Sequence, residues 1–458
     1  MKIIVLGAGQ VGSSVAQSLA LEDNDVTVVD TNEEVLRDLG ARLDLGTVCG
    51  AASYPDVLRR AGAEDADMII AATDSDETNI VAMQVAYSLF HTPQKIARVR
   101  SVEYTRERNL FNNDHIPINV LISPEQLVTD HIQRIIEHPG ALQVIDFAEG
   151  LVRLVGVSVQ EGAPMANQPM SRLTSLLGDI EARVVAIYRE DDSIIIADGK
   201  TVVQVGDVVF YLGSRMHTST IMHQFHHDEL PVNSVMIAGA GNIGFRLARK
   251  LEKNYSVKVV EADKARNDFA ASALSNTLVL LGDAADHDLL VEENVREMDV
   301  FCALTNDDEA NILSAMLAKR MGARKIMSLI NRPAYVDLVE RDIIDVAISP
   351  QQITIGALLT HIRRGDVVAV HSLRKGQAEA LEGVAHGDEE TSMLVGRAIG
   401  DIDLPSSAAI GAVVRSSKVL IAHHDLVVEA EDHLIVLITN KQQIHDVEKL
   451  FQVGVTFI

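Results

Sequence analysis

The amino-acid sequence predicts an α/β protein: two doubly wound parallel-sheet domains, each followed by a small α+β module. Three observations predict it. Short apolar runs alternate with stretches of helical periodicity. The same order of motifs comes round twice, the first of them 232 residues apart. Hydrophobic residues make up 47% of the chain but aromatics only 4%, with no Trp. The interior is therefore built from Val, Ile, Leu and Ala, which suits parallel sheets covered by helices. A length of 458 residues allows several such domains.

The first unit opens with "MKIIVLGAGQVG", an apolar run leading into a glycine turn. Strands are expected at Ile3–Leu6, Val26–Asp30, Thr47–Cys49, Met68–Ala72, Ile96–Arg100 and Val120–Ile122, with helices such as Gly12–Leu21 and Glu77–Leu89 between them. Right-handed crossovers then give a Rossmann-like sheet. Ser123-Pro124-Glu125-Gln126 supplies a cap, a proline at the first helical position and a capping-box glutamine. The helix that follows carries an apolar stripe of Leu127, Val128, Ile132, Ile135 and Ile136, expected to face a partner. A β-rich module follows.

The repeat is visible motif by motif. Gly7 returns as Gly239, "ATDSDETNIVA" (72–82) as "LTNDDEANILS" (304–314), and "ISPEQ" (122–126) as "ISPQQ" (348–352). The expected division is 1–123, a parallel-sheet lobe; 124–141, a crossover helix; 142–228, a β-rich lobe; then 232–349, 350–366 and 367–453 in the same order. The polar junction "FHHDELPVN" (225–233) reads as a hinge.

The candidate chemistry lies in the glycine turns. In Gly7-Ala8-Gly9-Gln10-Val11-Gly12, Gly7 allows the turn, Gly9 lets a pyrophosphate approach and Gly12 lets helix and sheet pack. Asp30, 18 residues after Gly12, ends the next strand and is placed to accept ribose hydroxyls. Its charge repels a 2′-phosphate, so NAD(H), ADP or ATP is favoured over a 2′-phosphorylated dinucleotide. The second copy has Gly239, Gly241, Asn242, Ile243, Gly244 and Glu261, with Asp283 following Gly282. Thr73, Asp74 and Asp76 border the first crevice and are mirrored by Thr305, Asn306 and Asp308, and helix capping by Asp and Asn accounts for some of these without a ligand. Arg98 and Arg100 end the fifth strand, where a phosphate would meet them; a salt bridge across a domain interface is the competing reading. Matching "KIARVRS" (95–101) to "KIMSLIN" (325–331) sets them against Ser328 and Ile330.

Other function classes find little support. The formal net charge of −25 argues against direct binding to nucleic acid or anionic lipid, but suits docking on a basic protein surface such as the cytoplasmic loops of a membrane protein. The chain enters a strand with no signal peptide and has no membrane-spanning run. Cys49 and Cys302 read as reduced packing residues. His223, His226 and His227 read as a surface loop, not a metal site, and His423 and His424 as a turn. No catalytic constellation stands out.

Taken together, the turn, Asp30, "ATDSDETN", the "ISPEQ" helix and the β-rich module resemble the RCK, or KTN, domain. "GDAADHDLL", "TNDDEANILSAMLAKRMGA" and "RPAYVDLVERDIIDVAISPQQ" extend the resemblance over nearly the whole chain, to tandem-RCK subunits of bacterial potassium uptake. The resemblance implies a non-enzymatic regulator, binding NAD(H) and ATP/ADP and gating a potassium-transporting membrane subunit of TrkH or TrkG type. It implies a homo-oligomeric ring, a tetramer, on the cytoplasmic face of the membrane. An NAD-dependent oxidoreductase with duplicated domains, or a regulator of another potassium transporter, stays open at this point.

Overall fold

The computed structural model describes residues 1–21, 24–189, 193–226, 230–339, 343–359, 361, 366–373 and 377–453. It divides into two compact units: Met1–Leu127 with Pro350–His361, and Val128–Ser349 with Ile362–Ile458.

The first unit is built on a six-stranded sheet. From edge to edge the strands are Gly46–Cys49, Asp25–Asp30, Lys2–Leu6, Met68–Ala71, Gln94–Arg98 and Val120–Ile122, the doubly wound order. Every pair is parallel, with Ile3 beside both Val26 and Met68. Central strands buried on both faces need continuous apolar runs, and Ile3, Ile4, Val5 and Leu6 supply one. The fifth strand ends at Arg98, two residues earlier than the sequence reading. Val99 still donates its N–H to the Ile122 carbonyl at 3.0 Å, but Arg100 donates its N–H to Asp76 and not to a strand.

One helix in this unit comes from the far half of the chain. Pro350–Leu359 lies against Gln10–Ala20, the helix that follows the first glycine turn, and the Gln351 amide donates to the Ser14 hydroxyl.

The second unit holds a parallel sheet of the same order: Thr277–Leu281, Ser256–Glu261, Ser234–Ala238, Val300–Ala303, Lys325–Leu329 and Val346–Ile348. It also holds two five-stranded antiparallel sheets. The strands of one run Ile194–Ile195, Ala182–Tyr188, Val208–Ser214, Val152–Ser158, Ala141–Phe147. The other repeats that topology with Lys418–Ile421, Ala408–Arg415, Asp432–Ile438, Ala378–Ala385 and Val367–Leu373. The two antiparallel sheets share one core, in which Phe147, Leu154, Tyr188 and Phe210 pack with Leu373, Val414, Ile435 and Leu437.

The stripe on the helix Pro124–Glu137 corrects an expectation. Val128, Ile132, Ile135 and Ile136 are all buried within this one chain, so they do not wait for a partner. From Val128 onwards the helix belongs to the second unit, where Asp130 pairs with Lys250 on the helix of the second glycine turn. The sequence reading found no home for the stripe within one sheet; the fold buries it in the unit that begins at Val128.

His226 is a further correction. It is not on a surface loop but buried, with Nδ1 against the Ser158 carbonyl at 3.1 Å and Nε2 against Gln160 at 3.1 Å. His227 lies outside the described residues, while His423 and His424 are exposed in a turn. Cys49 is exposed and Cys302 buried, neither in a disulfide.

Candidate functional site

The first glycine turn closes between two strands. Gly7 has φ +101°, which a side chain rarely adopts, and its N–H donates to the Val29 carbonyl at 2.7 Å. A Cβ on Gly12 would run into the Gly7 carbonyl oxygen, so helix and turn approach as closely as they do only with glycine there. Gly9 caps the helix and faces open space, and Gln10 and Val11 begin the helical turn. The N-terminal N–H groups of that helix, with its positive dipole end, form a place for phosphate oxygens.

Asp30 is tied to this turn. Its Oδ2 accepts the Ala8 N–H at 2.6 Å and its Oδ1 accepts the Asn32 N–H at 2.8 Å. Each carboxylate oxygen has a second lone pair, so the group can hold the turn and still accept from a ribose. Thr73 closes the crevice on the other side, its Cα 3.0 Å from where a Gly7 side chain would begin.

Asn79, which the sequence reading passed over, fixes Thr73. Its Oδ1 accepts the Thr73 hydroxyl at 2.6 Å and the Thr73 N–H at 3.1 Å, and its Nδ2 donates to the Arg98 carbonyl at 2.9 Å. The same latch recurs from Asn311 to Thr305 and Leu329. The signal was present as a threonine followed six residues later by asparagine in both copies. The helix cap here is Ser75, not Asp76, and in the second copy Asp307, not Asp308.

The two arginines do different work. Arg98 pairs with Glu125 at 3.4 Å at the start of the crossover helix. Arg100 lies at the crevice, with Nε 3.5 Å from Asp76 Oδ1 and Nη2 donating to the Asp74 carbonyl. Asp74 itself is exposed.

The second turn repeats the first. Gly239 has φ +100°, a Cβ on Gly244 would meet the Gly239 carbonyl, and Asn242 and Ile243 begin the helix. Glu261 Oε2 accepts the Ala240 N–H at 2.6 Å and Oε1 accepts the Asp263 N–H at 2.9 Å. Asp283 is exposed next to this carboxylate's strand: the Gly282 N–H donates to the Glu261 carbonyl at 3.0 Å, and Asp283 Oδ1 accepts the Ala285 N–H at 2.8 Å.

The fifth strands match one residue away from the sequence pairing. Ala97 lies beside Ala71 as Ser328 lies beside Ala303, and Arg98 lies beside Ile122 as Leu329 lies beside Ile348. Arg98 therefore corresponds to Leu329, and Arg100 to Asn331. The preceding helix, Asp76–Phe90 in the first copy and one residue shorter, Asp308–Met321, in the second, takes the repeat spacing from 232 to 231, whereas matching Lys95 to Lys325 implies 230. The shared "KI" pair misled the sequence match. Arg332, one place further on, pairs with Glu309 at 2.8 Å and hydrogen-bonds Tyr335 at 2.8 Å.

Residues 3–124 and 235–350 match the TrkA-N domain, and residues 154–226 and 389–452 match the TrkA-C domain. Trk system potassium uptake protein TrkA of Halomonas elongata is 56% identical over 457 residues, covering 100% of both chains. The chain belongs to the TrkA family of Trk-system potassium uptake proteins. Its TrkA-N stretches fall on the two glycine-turn sheets and its TrkA-C stretches on the antiparallel sheets. The crystal structure of the GsuK RCK domain superposes with a TM-score of 0.61 at 17% identity, over 98% of this chain and 94% of that one. The GsuK channel bound to NAD gives 0.61 at 16%, over 98% and 79%. At these identities the likeness shows the fold, which is that of RCK domains in tandem. Among the described residues, no helix of this TrkA-family chain is long and apolar enough to cross a membrane.

Proposed function

We propose that this chain senses nucleotides and regulates a potassium-transporting membrane subunit of TrkH or TrkG type. The observation that carries the reading is the repeated turn geometry, Gly7 to Gly12 with Asp30 and Gly239 to Gly244 with Glu261, in a member of a potassium-uptake family. Adenine nucleotides fit both. The turn and helix N-terminus take a diphosphate, and the carboxylate takes the ribose. NAD(H) and ATP/ADP are the proposed ligands, and the NAD-bound GsuK channel supports the first of them on a similar fold. Thr73, Asp74 and Arg100 line the far side of the first site, Arg98 backing them through the sheet, and Asp283 lies at the rim of the second.

On this reading the protein is not an enzyme. It works as lobes of a ring, a tetramer, docked on the cytoplasmic face of the membrane subunit. A nucleotide can act only through different affinity for two conformations of that ring. The proposed lobes keep the divisions 1–123, 142–228, 232–349 and 367–453. The test is potassium flux in vesicles holding the membrane subunit with this chain. Flux that depends on added NADH, ATP or ADP supports the reading. Binding without any change in flux, or sustained NADH oxidation by the pure chain, overturns it.

A further inference from the structure

The two glycine turns differ at the second glycine. A Cβ built on Gly9 would meet nothing within 4 Å, whereas one on Gly241 would find a single neighbour, Arg266 Nη1, at 3.9 Å. Arg266 sits in the first turn of the helix Lys264–Ala273, which begins just after Glu261. The cap Asp263 accepts the Arg266 N–H at 2.8 Å and so sets where the side chain leaves the helix. In the first copy the cap is Asn32, which accepts the N–H of Val35. Val35 therefore stands where the second copy has Arg266.

The guanidinium does not pair with Glu261, whose two oxygens each accept one N–H, from Ala240 and from Asp263. Among the described residues it makes no hydrogen bond or ion pair, and it is open to solvent. Gly241 also caps the ten-residue helix Asn242–Leu251, whose N-terminal N–H groups point to the same space. A guanidinium and the positive end of a helix thus converge on the spot where the second glycine of such a turn admits a diphosphate.

We propose that Arg266 is a specificity-determining residue of the second turn, contacting the diphosphate of a bound adenine nucleotide, a contact that the first turn lacks. This rests on the reading that the second turn takes a nucleotide. The two sites then place their cation at different portions of the ligand. Arg100 faces the part beyond the diphosphate in the first half, and Arg266 grips the diphosphate itself in the second. Binding at the second turn depends on ligand charge and ionic strength through a side chain; at the first turn the diphosphate is held by backbone N–H groups.

The full-length chain has no tryptophan, so Phe269→Trp, at an exposed site three residues beyond Arg266 on the same helix, reports on the second turn alone. ADP and adenosine are titrated against this protein by fluorescence. Arg266→Gln should weaken ADP about tenfold, leave adenosine unchanged and flatten the dependence of ADP affinity on salt, while Arg266→Lys keeps most of the affinity. Unchanged ADP binding in Arg266→Gln, alongside weakened binding in Glu261→Ala, would overturn the role of Arg266 and leave the site standing. An equal loss for ADP and adenosine would also overturn it, because the guanidinium would then be acting on the base. If Glu261→Ala and Arg266→Gln are both without effect, the nucleotide reading of this turn falls with the proposal.

Discussion

Asp76 Oδ2 accepts the backbone N–H of Arg100 at 2.9 Å. It also accepts the Ser101 N–H at 2.8 Å, so one buried carboxylate turns the chain at the end of the fifth strand. The backbone of Arg100 is thereby held independently of its side chain. Asp76→Ala should cost about 2–3 kcal/mol, because two N–H groups lose a charged acceptor. Arg100→Ala should cost under about 1 kcal/mol, as for a partly exposed ion pair. Urea denaturation of the two variants checks both. In vesicle flux, Arg100→Ala should narrow the difference between ATP and ADP and leave NADH binding intact; a full ATP/ADP difference in that variant would place the sensor elsewhere.

Asp30→Ala should weaken adenine-nucleotide binding at the first turn by about 1.5–3 kcal/mol, through loss of a charge-assisted acceptor and of the tie to Ala8. Calorimetry belongs on the full chain, since Pro350–Leu359 completes the fold around the Gln10–Ala20 helix. A folded variant with wild-type affinity removes Asp30 from the site.

Ile132→Asp should lower stability by about 3–5 kcal/mol, since it exchanges a buried side chain for a carboxylate with no partner. The mass of the folded particles should stay as it is. Denaturation together with light scattering separates this from the partner-facing role, in which smaller particles would appear at unchanged stability.

Burial, helped by the charge of Arg134, holds His131 and His371 down at about 4 from an ordinary 6.5, with Asp146 pulling His371 slightly the other way. The Phe147 ring meets His371 edge-on at 5.2 Å. The unfolded chain takes up these protons first. The stability they contribute is therefore complete above about pH 6.5 and lost as pH falls towards about 4, by about 1–2 kcal/mol per histidine at pH 5. Urea midpoints against pH should show the fall, and His371→Gln should make it shallower; a slope unchanged by that substitution would exclude His371 as its source.

The parallel sheets were legible because their strands are apolar on both faces, and Gly7, Gly12 and Asp30 announce a turn whose sterics admit few alternatives. The β-rich modules were legible from alternation. What stayed hidden depends on distance along the chain or on a single residue of register. Nothing local in Ile132 or Ile135 names the surface that covers them. The identical "KI" pairs concealed a helix one residue shorter, and with it the correspondence of Arg100 to Asn331. Arg266 is no part of the glycine-turn pattern, and only its spacing from Asp263, set beside that of Val35 from Asn32, marks it in the sequence.

The two halves of the sequence do not coincide with the two bodies of the fold. The second half lends Pro350–His361 to the body that holds the first glycine turn, and the first half lends its chain from Val128 onward to the body that holds the second, so the peptide link through Leu230 and Pro231 is not all that joins them. A protease cut at that link should leave a nicked protein that elutes as one species, and the pieces 1–230 and 231–458, made as separate polypeptides, should complement each other. On that expectation, one covalent tether holds two unlike, mutually completing pieces in equal numbers.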